Sequence, residues 1–192
     1  MATRRVTRIG RKTPDPIALL VDDHKRLKEL FARFGKLRAA AHATTRLQQV
    51  VELACAELET HATIEEQVFY PAVRSKVRAG VVDEAEVEHE AARALIAELR
   101  RLEPSDPRYL ACFRVLTAYV TRHMKEEEQR LFPRIRRARL DLVDLGHRML
   151  TLKKSLLGEQ DAARAPPASQ SDAEGVQRHA RGETRYRDLA RH

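Results

Sequence analysis

The sequence predicts an all-α protein: an antiparallel up-down four-helix bundle followed by an additional C-terminal helix and a polar, disordered tail. Three observations predict it. Helix formers dominate the 192 residues, with only 7 Gly and 8 Pro, and strand-favouring residues are too scattered to build a sheet. Five segments carry apolar residues at alternating spacings of three and four, which marks one buried stripe per helix. The stretch HATIEEQVFYP, His61 to Pro71, recurs as HMKEEEQRLFP, His123 to Pro133, so the chain is built from two similar halves.

The first helix opens at Asp15, a capping residue, with Pro16 at the first helical position. Its stripe is Ile17, Leu20, His24, Leu27, Phe31 and Phe34, an apolar face that contains one histidine. The second helix starts near Thr44 or Thr45 and presents Leu47, Val50, Ala54, Leu58, His61, Glu65 and Val68. The third is expected to begin at DEAE, where Asp83 and Glu86 have the spacing of a capping box, and presents Ala85, His89, Ala92, Ile96 and Leu99. After the breaker EPSDP, Asp106 and Pro107 start the fourth, with Leu110, Phe113, Leu116, Val120, His123, Glu127 and Leu131. A fifth helix carries Leu142, Leu145, Met149, Leu152 and Leu156 and ends at Gly158. Residues 1–13 then form a basic arm, 14–158 the domain, and 159–192 a tail too polar and too rich in Pro, Ala and Ser to pack.

The net charge of +8 sits largely outside the repeated motifs, in the arm and in RIRRAR at residues 134–139. A nucleic-acid contact is therefore confined to those segments, and charge does not explain the repeat. Cys55 and Cys112 fit no metal or redox spacing and fall among apolar helical residues. No apolar run approaches a membrane span, and the arm lacks the apolar stretch of a secretory signal, so the expected location is the cytoplasm.

The chemistry lies in the polar residues on the apolar stripes. Residues four apart share a helical face, so His61 with Glu65, and His123 with Glu127, each present a nitrogen and a carboxylate at one level. His24 and His89 supply the matching position in the other helix of each half. Four imidazoles and two carboxylates facing one another make a costly core without a cation. Nitrogen and oxygen donors without thiolate fit iron, manganese or zinc. Two matched halves fit two ions bridged by carboxylates, with iron favoured and room left for an oxo or hydroxo bridge and exogenous ligands. Glu66, Glu126 and Glu128 read as solvated surface charges. Tyr119, four residues before His123, and Glu57, four before His61, are weaker candidates for a place beside the metal. His42, His147, His179 and His192 fall outside the ligand set.

His24, then HATIE, then His89, then HMKEE with LFP after it, resembles the hemerythrin-like family of HHE cation-binding domains over roughly residues 15–157. The resemblance implies a four-helix bundle with a non-haem di-iron centre that binds or reacts with dioxygen, hydrogen peroxide or nitric oxide, or senses iron. Carried over, His24, His61, His89 and His123 are terminal ligands, and Glu65 and Glu127 are bridges. Two departures separate this chain from the oxygen-carrying members. Arg93 stands where they have a second histidine on the third helix, and Glu127 follows His123 by four residues where they place an Asp at five. Both point to handling of iron, peroxide or nitric oxide rather than reversible oxygen carriage, with a peroxide-consuming or nitric-oxide-reactive activity left open. The alternative is an iron or oxygen sensor that signals through the basic segments to a nucleic-acid or protein partner.

Overall fold

The computed structural model describes residues 13–38 and 44–164. The basic arm up to Lys12, His42, and residues 165–192 of the tail lie outside the described residues. The chain divides into two compact units, residues 1–157 and 158–192. The described part is all-helical: α1 (Pro16–Arg38), α2 (Thr44–Ile64), α3 (Tyr70–Val73), α4 (Val81–Arg101), α5 (Pro107–Glu126), α6 (Phe132–Arg137) and α7 (Leu142–Arg164). Among the described residues, no helix is long and apolar enough to cross a membrane.

Two of the expected helix starts are built as the sequence suggests. The Asp15 carboxylate accepts from the backbone N–H of Ile17 at 2.9 Å and of Ala18 at 3.2 Å, and that of Asp106 accepts from Arg108 N at 2.7 Å. Each leaves a proline at the first helical position, where a missing N–H costs nothing. The start of α4 differs. It begins at Val81, after Gly80 in the left-handed region at φ 88°, and the expected capping pair Asp83 and Glu86 instead binds the Arg74 guanidinium. Glycine meets no Cβ penalty in that conformation. Helix α7 also runs on to Arg164 instead of ending at Gly158.

The duplicated motif contains a local irregularity on which the site depends. Residues Glu65–Phe69 and Glu127–Leu131 form single π-helical turns between α2 and α3 and between α5 and α6. Their closing bonds run from Tyr70 N–H to the Glu65 carbonyl and from Phe132 N–H to the Glu127 carbonyl. Pro71 and Pro133 follow directly. A proline inside a helix removes one N–H and pushes its ring against the carbonyl four residues back. A widened turn absorbs that conflict and adds one residue to the turn.

The long helices pack α1 on α2, α4 on α5, α1 on α5 and α2 on α4. The core falls into two apolar clusters. One is built around Leu27, Phe31, Ala54, Ile96, Phe113 and Leu116, the other around Leu20, Ile64, Phe69, Ala85, Phe132 and Met149. Along α1 and α4 the chain passes from the second cluster to the first, and along α2 and α5 it returns. The histidines sit at the crossing level of every one of these four helices.

The fifth long helix closes over the start of α1. Leu145 and Met149 are buried in the second cluster, and a Cβ at Gly146 would overlap the Pro14 carbonyl oxygen. Gly146→Ala should therefore lower stability by about 1–3 kcal/mol, the usual cost of overpacking. Gly35→Ala, at a helical site with nothing within 4 Å, should raise it by about 0.5–1 kcal/mol. Urea unfolding of both variants checks the contrast, and equal effects would exclude close packing at Gly146.

Candidate metal centre

All six candidate ligands are buried and gather at one level. His24 and His61 bring their Nε2 atoms to 3.3 Å, and His89 and His123 bring theirs to 3.1 Å. Glu65 Oε2 lies 3.2 Å from His61 Nε2 and 3.4 Å from His89 Nε2. Glu127 Oε2 lies 3.3 Å from His24 Nε2 and 3.5 Å from His123 Nε2. Each glutamate thus faces one histidine of either half. The donors form two overlapping groups, His24, His61, Glu65 and Glu127, and Glu65, His89 and His123, with all ligand atoms of a group within 4.8 Å of one another.

The other ring nitrogen of each histidine faces a carboxylate. His24 Nδ1 meets Glu128 Oε1 at 2.9 Å, His89 Nδ1 meets Glu66 Oε1 at 2.8 Å, and His123 Nδ1 meets Glu88 Oε2 at 2.7 Å. His61 Nδ1 is further from its carboxylate, 3.6 Å from Asp23 Oδ2. Glu66 and Glu128, expected to be solvated surface charges, are therefore part of the site. At the start of each π-turn two consecutive glutamates serve the centre, the first from the front and the second from behind a neighbouring ring. Only Glu126 of the three is peripheral, 3.9 Å from Arg122. Asp23 and Glu88 escaped the sequence reading although each directly precedes a ligand histidine, in DDH and in EHE.

The tyrosine beside the cluster is Tyr70 rather than Tyr119. Its hydroxyl lies 3.1 Å from Glu127 Oε1, 3.4 Å from Glu65 Oε2 and 3.4 Å from His89 Nε2, so it adds an oxygen to the smaller donor group. Tyr119 instead carries Arg122 over its ring at 5.1 Å. Glu57 is 3.5 Å from Arg26 Nε and belongs to the surface. Tyr70 and Phe132 occupy matching places after the two π-turns, and Phe132 stacks on His24 with centroids 5.7 Å apart. Arg93 turns to Glu66 in an ion pair.

The charges settle the proton positions. Burial pushes the Glu66 carboxyl up, but Arg93 and His89 more than offset it and hold it below its ordinary value. The His123 contact depresses Glu88, and Lys28 and His24 overcome burial to depress Glu128. All three carboxyls are thus held toward the ionised form, which only accepts, so their contacts favour the tautomers with Nδ1 protonated on His24, His89 and His123; burial pushes His123 down, but the Glu127 and Glu88 carboxylates more than offset it and raise that ring above its ordinary value. Burial and the charge of His24 push His61 down to about 3, and burial and His123 push His89 down to about 4. Burial and the neighbouring Glu127 raise Glu65 well above the carboxylate range. Burial acts the same way on Glu127, but His123 and His24 reverse it and leave that carboxyl depressed. Without a cation only one of the two central carboxyls ionises. His61 Nδ1, Glu65 Oε1 and Glu127 Oε2 are buried without a hydrogen-bond partner. Ring nitrogens and carboxylate oxygens that converge at 3.1–3.5 Å, with buried polar atoms left unpaired, are a set of donors that could hold a metal cation.

Comparisons with known proteins agree with this geometry. The family model for the hemerythrin HHE cation binding domain matches residues 15–135. A crystal structure of a hemerythrin HHE cation binding domain-containing protein from Mycobacterium kansasii has the same fold, with a TM-score of 0.60 and 20% identity over 74% of this chain and 86% of that one. A DNA nickase from Nostoc is 29% identical over 114 residues, 59% of this chain but 31% of that protein, so the chain spans about a third of its length. The family match covers the four long helices, the two π-turns and every one of the six candidate ligands; the chain belongs to the hemerythrin HHE cation-binding domain family.

Proposed function

We propose that this domain is an up-down four-helix bundle that holds two iron ions and reacts with small oxidants: dioxygen, hydrogen peroxide or nitric oxide. The alternating direction of α1, α2, α4 and α5 between the two core clusters supports the bundle. The observation that carries the function is the convergence of four imidazole lone pairs on two buried carboxylates. His24 and His61 would hold one ion, His89 and His123 the other, with Glu65 and Glu127 shared and Tyr70 offering a further oxygen. Imidazole and carboxylate donors suit iron above manganese or zinc in a redox role. When bound, a pair of irons supplies electrons and open coordination positions to a small oxidant.

The chain's own groups shape that reactivity. The Tyr70 hydroxyl bonds Glu127 Oε1 at 3.1 Å and can hold a proton beside the centre. An apolar cavity lined by Leu58, Ala62, Ala92, Ile96 and Val120 reaches His61, His89 and His123, a path suited to small neutral molecules. A second cavity, with Glu84, Glu126, Arg130 and Arg134 at its walls, reaches His123 and Glu127 and suits water and protons. Arg93, paired with Glu66, leaves a place open where oxygen carriers have a histidine. That openness favours oxidation over a long-lived oxygen complex.

A second reading makes the metal state a signal passed to a polyanion. Arg130, Arg134, Arg137 and Arg139 are exposed on and beside α6, and the matched DNA nickase supports a test of that reading. Salt-dependent binding of a DNA duplex to the full chain should then differ between iron-loaded and metal-free protein. Identical weak binding in both states would exclude it.

Metal analysis after anaerobic iron loading should give about two irons per chain; stoichiometric zinc with no iron uptake would exclude the redox role. Chelation should lower the melting temperature by about 8–16 °C, since a ligand present at about 1,000 times its Kd contributes about 4 kcal/mol to a domain of this size. His89→Ala should reduce iron content and remove most of that shift, whereas His147→Ala, on the exposed side of α7, should change neither. Reduced protein exposed to air and then evacuated should keep the optical spectrum of the oxidised form. Return of the reduced spectrum would mean reversible oxygen binding.

A further inference from the structure

Each carboxylate behind a histidine is also neutralised by at least one cation, and three of the five cations share a helix with the histidine they serve. Lys28, four residues after His24, binds Glu128 at 2.8 Å. Arg93, four after His89, pairs with Glu66. Arg122, one before His123, binds Glu88 at 2.8 Å. Helix α2 breaks the pattern, because the residue four after His61 is the candidate ligand Glu65.

The missing cation comes from α7. Lys153 lies four residues beyond the buried Met149 on the same face, and its side chain is 13% exposed. Its Nζ pairs with Asp23 Oδ1, the same oxygen that Arg26 binds. With Oδ1 occupied by two cations, Oδ2 is the oxygen left facing His61 Nδ1 at 3.6 Å. Arg26 is 43% exposed at its side chain, so an Asp23 held by Arg26 alone is free to follow it outward and leave His61 without its carboxylate.

We infer that Lys153 is a positioning residue for His61: by pairing with Asp23 it keeps a carboxylate oxygen 3.6 Å behind Nδ1, which favours the ring with that nitrogen protonated and Nε2 aimed at the centre, so the fifth long helix helps set one metal position. A ring held this way binds metal through one defined nitrogen, and loss of such a partner ordinarily weakens binding about 10–100-fold.

The test uses the full chain. In metal-free protein, long-range proton–nitrogen NMR should report His61 as the Nδ1–H tautomer. Lys153→Met should convert it to a mixture of tautomers while His24, His89 and His123 stay unchanged, and Lys153→Arg should preserve it. In a competitive chelator titration with ferrous iron, Lys153→Met should weaken one of two ions about 10–100-fold and leave the other within about threefold. The affinity measurement rests on the two-iron reading, whereas the tautomer does not, so failure to bind iron leaves the spectrum to decide the role of Lys153. An unchanged His61 spectrum in Lys153→Met overturns the inference, and so does equal weakening of both ions. If Lys153→Met fails to fold, Lys153→Arg carries the test, and a lost tautomer there shows that shape rather than charge is what matters and overturns it.

Discussion

The structure depends on one arrangement: a layer of imidazoles held from behind by carboxylates on neighbouring helices. Asp23 on α1 faces His61 on α2, Glu66 after α2 binds His89 on α4, Glu88 on α4 binds His123 on α5, and Glu128 after α5 binds His24 on α1. These contacts close a ring through all four long helices. Three of them are hydrogen bonds at 2.7–2.9 Å that orient their rings with Nε2 toward the centre, and the fourth places a carboxylate 3.6 Å behind His61. Apolar clusters above and below that layer remove water from it, which strengthens every contact and makes an unneutralised carboxylate expensive. The ring therefore orders the fold and creates the demand for a cation with the same atoms.

One short motif supplies both faces of that ring. Consecutive helical residues diverge by about 100°, so one can face the centre while the next lies behind a neighbouring ring, as Asp23 with His24 on α1 and Glu88 with His89 on α4 also do. The π-turn begins at Glu65 and closes at Tyr70, and within it Glu65 reaches the centre while Glu66 reaches the back of His89. The second copy repeats this with Glu127 and Glu128.

That division also separates what was legible in the sequence from what was not. All six candidate ligands were readable because they interrupt apolar stripes, and stripe residues such as Leu27, Val50 and Leu116 are buried as expected. Glu66 and Glu128 were misread because periodicity places them off the apolar stripe, and which histidine of the next helix lies beside that flank is set by the packing of the helices. Asp23 and Glu88 were invisible for a different reason: they serve a histidine on another helix, and periodicity along one helix carries no information about which side chain lies behind the next. The start of α4 moved because Arg74 competes for Asp83 and Glu86, an interaction set by the loop before the helix. Tyr70 was counted with the bulky apolar pair ahead of the proline. Its hydroxyl gains meaning only from the three polar partners that the fold brings to it.

The two halves are similar without being equivalent, and the differences fall on the two donor groups in opposite ways. Tyr70 brings a hydroxyl to the side of His89, whereas the matching Phe132 stacks an apolar ring on His24. Behind the rings, His89 and His123 have close carboxylate partners at 2.8 and 2.7 Å, while His61 has a distant one that is shared with Lys153 and Arg26. The group around His89 and His123 thus gains a hydroxyl, whereas the group around His24 and His61 packs against an aromatic ring and, through Asp23, is tied to α7.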